Sequence, residues 1–489
     1  MDSNLFLYYK DFFPVQELMF FLFVGNPDPV WNMKQREIVF FWNIKDKGKI
    51  CQRYNSYETP DELKIDLVSK LPCRIDIGAL YNTIPSFKRY GYEIQPIYKE
   101  IVIDIDMDDY DHIRTCNCVT RKDDEEFNNK KVCNICWQIL SCSSKILNYI
   151  LIKKFGLHNN LWVFSGKKGV HCWIKNDDET IQCNEQFREM LTEYLNPFTC
   201  IGGYKLKKRH TQCPIIKYTF QKYALPFFME LVNNNQNGSE ILCFKSDKIQ
   251  LIVNNCVKEN AIYHNNTRPD YGKRIGTTWE SCFKIIRDIC SNSMKVICAI
   301  VFKCLFPIID TLVTKDIRHL LKSPFSVHDI TKNICVPLDI STISEFNVSN
   351  ALNINHITSD PARCTYEFQN IYLPQLKKHY NNNNNNVTLP FNIVPSPYML
   401  CYYCIVKHCE KCENVTFELL KKQKILYGLN EWLNHITENH KTWTTKKKLF
   451  AVANQCILKN FAMKLSINHH TDTIDFNLMH KLIEHALSS

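Results

Sequence analysis

The sequence predicts an α/β or α+β fold, and three stretches carry that expectation. Glu37–Trp42 and Ile50–Tyr54 are strand-like runs on either side of a charged turn, Lys45–Lys49, which is the pattern of a hairpin. Ile101-Val102-Ile103-Asp104-Ile105-Asp106 alternates branched apolar residues with carboxylates, the period-two signature of a strand with two unlike faces. Trp137 to Phe155 carries apolar residues at helical spacing.

The other elements follow in order. Residues 1 to 30 are aromatic-rich and begin as helix. Residues 59 to 69 read as a short helix, and Arg74–Gly78 as a short alternating strand. A loop with Cys116, Cys118, Cys133 and Cys136 separates the Asp-x-Asp strand from the Trp137–Phe155 helix. Leu161–Phe164 is a buried-type strand that runs through Ser165–Gly169 into a second strand, Val170–Ile174. From about 180 to 300 the pattern is mostly helical, with Lys205, Lys207, Lys208 and Arg209 as its basic run. Strand character is expected to return at Phe306–Val313 and Ser326–Leu338. Asn381–Asn386 is a low-complexity run that cannot pack a core and marks a linker. The expected division is therefore 1–180 and 301–375 for two parts of one core, with the cysteine loop 116–136 in the first. A helical insertion fills 181–300, a linker 376–398 and a Cys-rich helical extension 399–489.

Composition bounds the function. With 489 residues, 45% of them hydrophobic, the chain has room for two or three domains and a sizeable core. Lys and Arg exceed Asp and Glu by 60 to 50, a formal charge of +10 that permits a polyanionic partner without requiring one. Asp2, Lys10, Asp11 and Pro14 break any signal-peptide pattern, so the 24 cysteines are expected in a reducing compartment, as metal ligands rather than disulfides. The longest apolar run, Val296–Ile309, is interrupted by Lys303 and Pro307, so a soluble protein with no membrane partner is expected.

Four constellations carry chemistry. Asp104 and Asp106 project from one face of a strand, and two carboxylates at that spacing repel unless a cation lies between them. Hard oxygen ligands suit Mg²⁺ or Mn²⁺; the same pattern also fits a polar face that meets solvent. Cys116, Cys118, Cys133 and Cys136 have the spacing of a closed, structural Zn²⁺ site. Ser165-Gly166-Lys167-Lys168-Gly169-Val170-His171 brackets a dilysine with glycines and offers several donors to phosphate oxygens. It is not a Walker loop, and a charged hairpin turn has the same composition. Asp310 could complete a metal site or simply cap a turn, and Lys322 and His328 downstream add positive charge.

Asp104 to Asp111, the cysteines after it, Ser165 to Trp173 and His319-Leu-Leu-Lys-Ser-Pro-Phe-Ser-Val-His328 resemble the small, catalytic subunit of archaeal and eukaryotic DNA primase, in that family's order and at about its spacing. The likeness covers most of residues 1 to 345 and favours the eukaryotic form. It implies the archaeo-eukaryotic primase core, with mixed sheets, a helical insertion and a zinc motif. It implies DNA-templated synthesis of short RNA primers from ribonucleoside triphosphates by two-metal nucleotidyl transfer, in DNA replication. Asp104, Asp106 and Asp310 match the family's catalytic carboxylates; Ser165, Lys168, His171, Lys322 and His328 match its triphosphate contacts; Lys167 matches a further basic position. Glu37, Arg53, Arg74 and Asp76 fall where the family supports nucleotide binding and initiation, and the four loop cysteines match its zinc ligands. The implied partners are a primase large subunit, the DNA polymerase alpha complex and a single-stranded DNA template; the implied location is the nucleus, or a site of viral DNA replication.

Three departures stand out. Lys167-Lys168 replaces the family's Arg-Arg, keeping charge but losing the bidentate fork. Ile308 stands where a basic residue is often found, and Asn117 separates the first cysteine pair. Two other readings stay open: a primase-polymerase that extends with deoxynucleotides in repair or lesion bypass, and an inactive zinc-bearing scaffold that binds DNA. Outside the likeness, Cys401, Cys404, Cys409 and Cys412 have the spacing of a second zinc knuckle, with His408, His435 and His440 as substitute ligands and Lys446–Lys448 downstream.

Overall fold

Two antiparallel sheets carry the predicted strands. The first runs β2 (Gly48–Asn55), β1 (Arg36–Ile44), β3 (Arg74–Tyr81), β4 (Pro96–Tyr98), with β8 (Leu321–Lys322) also paired to β3. The second runs β5 (Ile101–Asp106), β7 (Gly169–Lys175), β6 (Asn159–Phe164), β9 (Pro337–Leu338). The computed structural model describes residues 3–23, 29–44, 48–114, 132–175, 184–233, 246–264 and 274–381. Contacts divide the chain into Met1–Asn383 and Asn384–Ser489, and every described residue lies in the first unit. Cys116, Cys118, Cys401, Cys404, Cys409, Cys412 and the histidines and lysines of the tail lie outside the described residues.

The alternation read in β5 is the alternation observed. Ile103 and Ile105 are fully buried, while Asp104 and Asp106 are half-buried. Burying each isoleucine contributes roughly 2 kcal/mol. A one-residue slip would drive both carboxylates into the core, so the register is fixed. Residues directly opposite each other share a face. Ile105, Val170 and Phe164 line up on one face of the second sheet, and Asp104, His171 and Val163 on the other. The helix α1 (Asn134–Phe155) covers the first of these faces, with the Trp137 ring 5.8 Å from that of Phe164. The described residues between 184 and 305 are mostly helical, in helices that include Glu185–Tyr194, Asp247–Asn260, Trp279–Ile289 and Ser293–Leu305.

Two expected strands are corrected. Phe306–Val313 is a loop that enters a short helix, α2 (Thr311–Lys315). Pro307 lacks a ladder donor, and Asp310 caps α2 by accepting from Leu312 N at 2.9 Å. Ser326–Leu338 holds one isolated bridge, Val327 to Ile334, and the two-residue β9. Phe325 and Lys332 have φ of +63° and +61°, which a continuous strand cannot contain. The helix α3 (Leu373–Asn381) also runs into the stretch expected to be linker.

Candidate active site

The three acids predicted to act together lie together. The Asp310 backbone N–H donates to the Asp104 carbonyl at 3.0 Å, so the loop after residue 305 is tied to β5. Tyr110 fixes the same loop from below. Its buried hydroxyl accepts from Ile308 N at 3.0 Å and lies 3.1 Å from the Phe306 carbonyl. Burial, then the charges of Asp106 and Asp310, push the Asp104 carboxyl up to about 7. Asp106 is raised as well, by burial, against the opposing pull of Lys168. Among the described residues no three His, Cys, Asp or Glu side chains close into a metal cage. Asp106 and Asp310 instead each accept a backbone N–H, from Asp108 at 3.2 Å and from Leu312 at 2.9 Å. Each carboxylate keeps a second oxygen. Three hard, mutually repelling donors fit a divalent cation in chemistry.

Asp109 was not singled out in the sequence. Burial, then Asp106 and Asp310, raise it to about 6, so it faces the same cluster. Asp109 lies in the 3-10 turn Met107–Tyr110, whose N-cap is Asp106.

Nitrogen donors stand opposite, one of them the Lys322 ammonium. Asp76 pairs across β3 and β8 with Lys322, whose ammonium donates to the Ser165 carbonyl at 2.9 Å. That bond joins the two sheets. His328 is buried, and its Nδ1 accepts from the backbone N–H groups of Ile330 at 3.2 Å and Thr331 at 3.3 Å. Burial, then Lys322, hold its pKa low. The ring is therefore neutral and its proton sits on Nε2, ready to donate. His171 Nε2 lies 3.7 Å from Asp104 Oδ1, and burial with Lys322 holds His171 well below its ordinary value. This contact is between a neutral ring and a carboxyl, not an ion pair. The Ser165–Gly169 loop is held rigid. Ser165 Oγ accepts from Gly169 N at 2.9 Å, and Gly166 has a φ of +90° with His328 Cβ only 2.7 Å from where its own Cβ would lie. Lys168 is paired with Asp108, another residue the sequence did not flag.

The first sheet contributes a clamp. Glu37 is fully buried and accepts from Arg53 Nε at 2.9 Å, Arg53 Nη2 at 3.0 Å, Tyr54 N at 3.1 Å and Tyr81 Oη at 3.1 Å. Arg74 makes a two-pronged pair with Asp76 at 2.6 Å. Of the loop cysteines, Cys133 and Cys136 have sulfurs 3.4 Å apart, and Cys133 Sγ accepts from Cys136 N. Cys133 thereby caps the start of α1.

A family profile described as "DNA primase small subunit" matches residues 103–340. The DNA primase small subunit of Saccharomyces cerevisiae is 30% identical over 70% of this chain and 83% of its own. The chain belongs to the DNA primase small subunit family. The Drosophila melanogaster member is 28% identical over 72% of this chain and 80% of its own, and the Caenorhabditis elegans member 28% over 74% and 87%. Among the described residues no helix is long and apolar enough to cross a membrane.

Proposed function

We propose that this chain is the catalytic subunit of a DNA primase, making RNA primers on single-stranded DNA from ribonucleoside triphosphates. The observation that carries the reading is the hydrogen bond from Asp310 N to Asp104 O, across about 200 residues of sequence. It supports three acids beside Lys322 and two neutral imidazole donors, an arrangement suited to phosphoryl transfer. The reaction joins a ribonucleotide 3′-oxygen to the α-phosphorus of the next triphosphate and releases pyrophosphate. Divalent cations held by Asp104, Asp106 and Asp310 would supply charge neutralisation and make the 3′-hydroxyl more acidic. Lys322 and the His328 Nε2–H would hold triphosphate oxygens, with the Ser165–Gly169 loop shaping the pocket. Lys168 would exchange Asp108 for phosphate as the nucleotide enters. Glu37 holds the Arg53 guanidinium in place through a two-pronged pair. Relatives of this chain are named small subunits, and we read a larger partner subunit from that name. Cys133 and Cys136 would be half of a zinc site. Action in the nucleus or at a site of viral DNA replication belongs to the same reading.

The test is dinucleotide synthesis on an oligonucleotide template with Mg²⁺ or Mn²⁺. The wild-type chain is expected to join ribonucleotides, and Asp106→Ala to lose at least about a thousandfold in rate with an unchanged melting temperature. Near-wild-type output from Asp106→Ala would overturn the assignment. A strong preference for deoxynucleotides would move the reading to a repair polymerase.

A further inference from the structure

The connection from β3 to β4 carries a feature that neither the acids nor the triphosphate wall uses. Lys88-Arg89-Tyr90-Gly91-Tyr92 closes the 3-10 turn Pro85–Tyr90, and Gly91 at φ +86° turns the chain back. Tyr90 is 77% exposed and Tyr92 57%, so two large rings face solvent. Ile97, on the edge strand β4, adds a third apolar surface at 46%. The Tyr92 ring is braced by Phe87, with centroids 5.6 Å apart at 43°. Among the described residues neither tyrosine hydroxyl has a hydrogen-bond partner, and Lys88 is exposed without an ion pair. Glu93 is the one acid between Pro85 and Tyr98.

Arg89 plays a different part. Its guanidinium donates to the Arg53 carbonyl and, at 2.8 Å, to Asn55 Oδ1. It is an anchor that fastens the tip to β2, at the residue whose side chain clamps Glu37. The tip is thus tied to the strand that carries Arg53. Along β3, Tyr81 lies roughly 17 Å from Asp76, the partner of Lys322, at about 3.3 Å per residue.

We infer that Tyr90 and Tyr92, with Lys88, form a stacking platform for single-stranded DNA at the rim of the cleft, some nucleotides away from the reacting end. Exposed aromatic faces interleaved with a free cation bind single strands regardless of sequence, because every base has a π face and every linkage a phosphate. A strand held there enters the cleft already positioned over the first sheet. Calling that strand the template rests on the proposed primase reading; the platform itself does not.

The experiment uses the full chain and a labelled oligothymidylate of about 20 nucleotides, followed by fluorescence anisotropy. Tyr90→Ala/Tyr92→Ala is expected to weaken binding at least about fivefold, while Tyr90→Phe/Tyr92→Phe stays within about twofold of wild type. Lys88→Ala is expected to lower the salt slope by about one. In primer synthesis the alanine pair is expected to raise the KM for template and leave that for nucleotide unchanged. Unaltered oligonucleotide affinity in the alanine pair overturns the inference, even if some protein partner is lost. Tyrosine-dependent binding by a chain that joins no nucleotides upholds the platform and sinks the primase reading. Normal synthesis with tyrosine-independent binding does the reverse.

Discussion

Glu37 and Gly78 show how one missing side chain arranges a site. A Cβ on Gly78 would lie 2.7 Å from Glu37 Oε2 and 2.9 Å from Glu37 Cβ. The glycine is needed for space, since its φ is that of ordinary strand. Glu37 is fully buried with four donors, so displacing it strands both a buried carboxylate and the Arg53 guanidinium. Gly78→Ala is expected to cost about 3 kcal/mol of stability, read as a lower urea midpoint, and to weaken nucleotide binding together with it. A variant with wild-type midpoint and nucleotide affinity would show that Glu37 has room elsewhere.

At the scale of elements, the loop Phe306–Asp310 is the piece that completes the acid cluster, and it has no ladder of its own. Its backbone is held by Tyr110 and by the Asp104 carbonyl. Tyr110 sits at the end of the 3-10 turn that follows β5, so one short segment supplies Asp106, Asp109 and the peg for Asp310. Tyr110→Phe keeps the ring packing but leaves Ile308 N–H without its acceptor. The expected loss is about 1–3 kcal/mol in unfolding free energy, with a fall in dinucleotide synthesis larger than the fall in nucleotide binding. Equal losses in both would mean that the loop only stabilises the fold.

For the whole molecule, buried charge between the sheets and the helices sets a pH dependence. Arg36 and Glu100 form a fully buried two-pronged pair at 2.9 and 3.0 Å, and Arg188 donates to the Lys99 carbonyl at 2.5 Å. Lys99 is buried beside them with its ammonium on the His319 carbonyl. Burial, then Arg188, push Lys99 down to about 7. In the unfolded chain it titrates near 10.4. Below about pH 7 the lysine is charged in both states, and the fold carries the full cost of burying that charge. Between about 7 and 10 only the unfolded chain binds the proton, so this contribution to stability grows as pH rises, by up to about 1.4 kcal/mol per unit. Lys99→Met should flatten the rise in unfolding free energy over that window. An identical slope in wild type and variant would mean that Lys99 is solvated in the fold.

The sequence by itself determined the strand of alternating isoleucine and aspartate, the hairpin Arg36–Asn55 and the helix after Cys133. These are legible because period two, helical period and capping chemistry are local properties of a few consecutive residues. It misjudged Phe306–Val313, where apolar residues in a row suit a buried loop as well as a strand. Only the tertiary structure decided that Asp310 rests on Asp104, that Lys322 bridges the sheets to Ser165, that Lys168 spends its charge on Asp108 and that Gly78 makes room for Glu37. Each of those contacts joins parts of the chain whose spacing carries no periodic mark, so packing alone selects the partner.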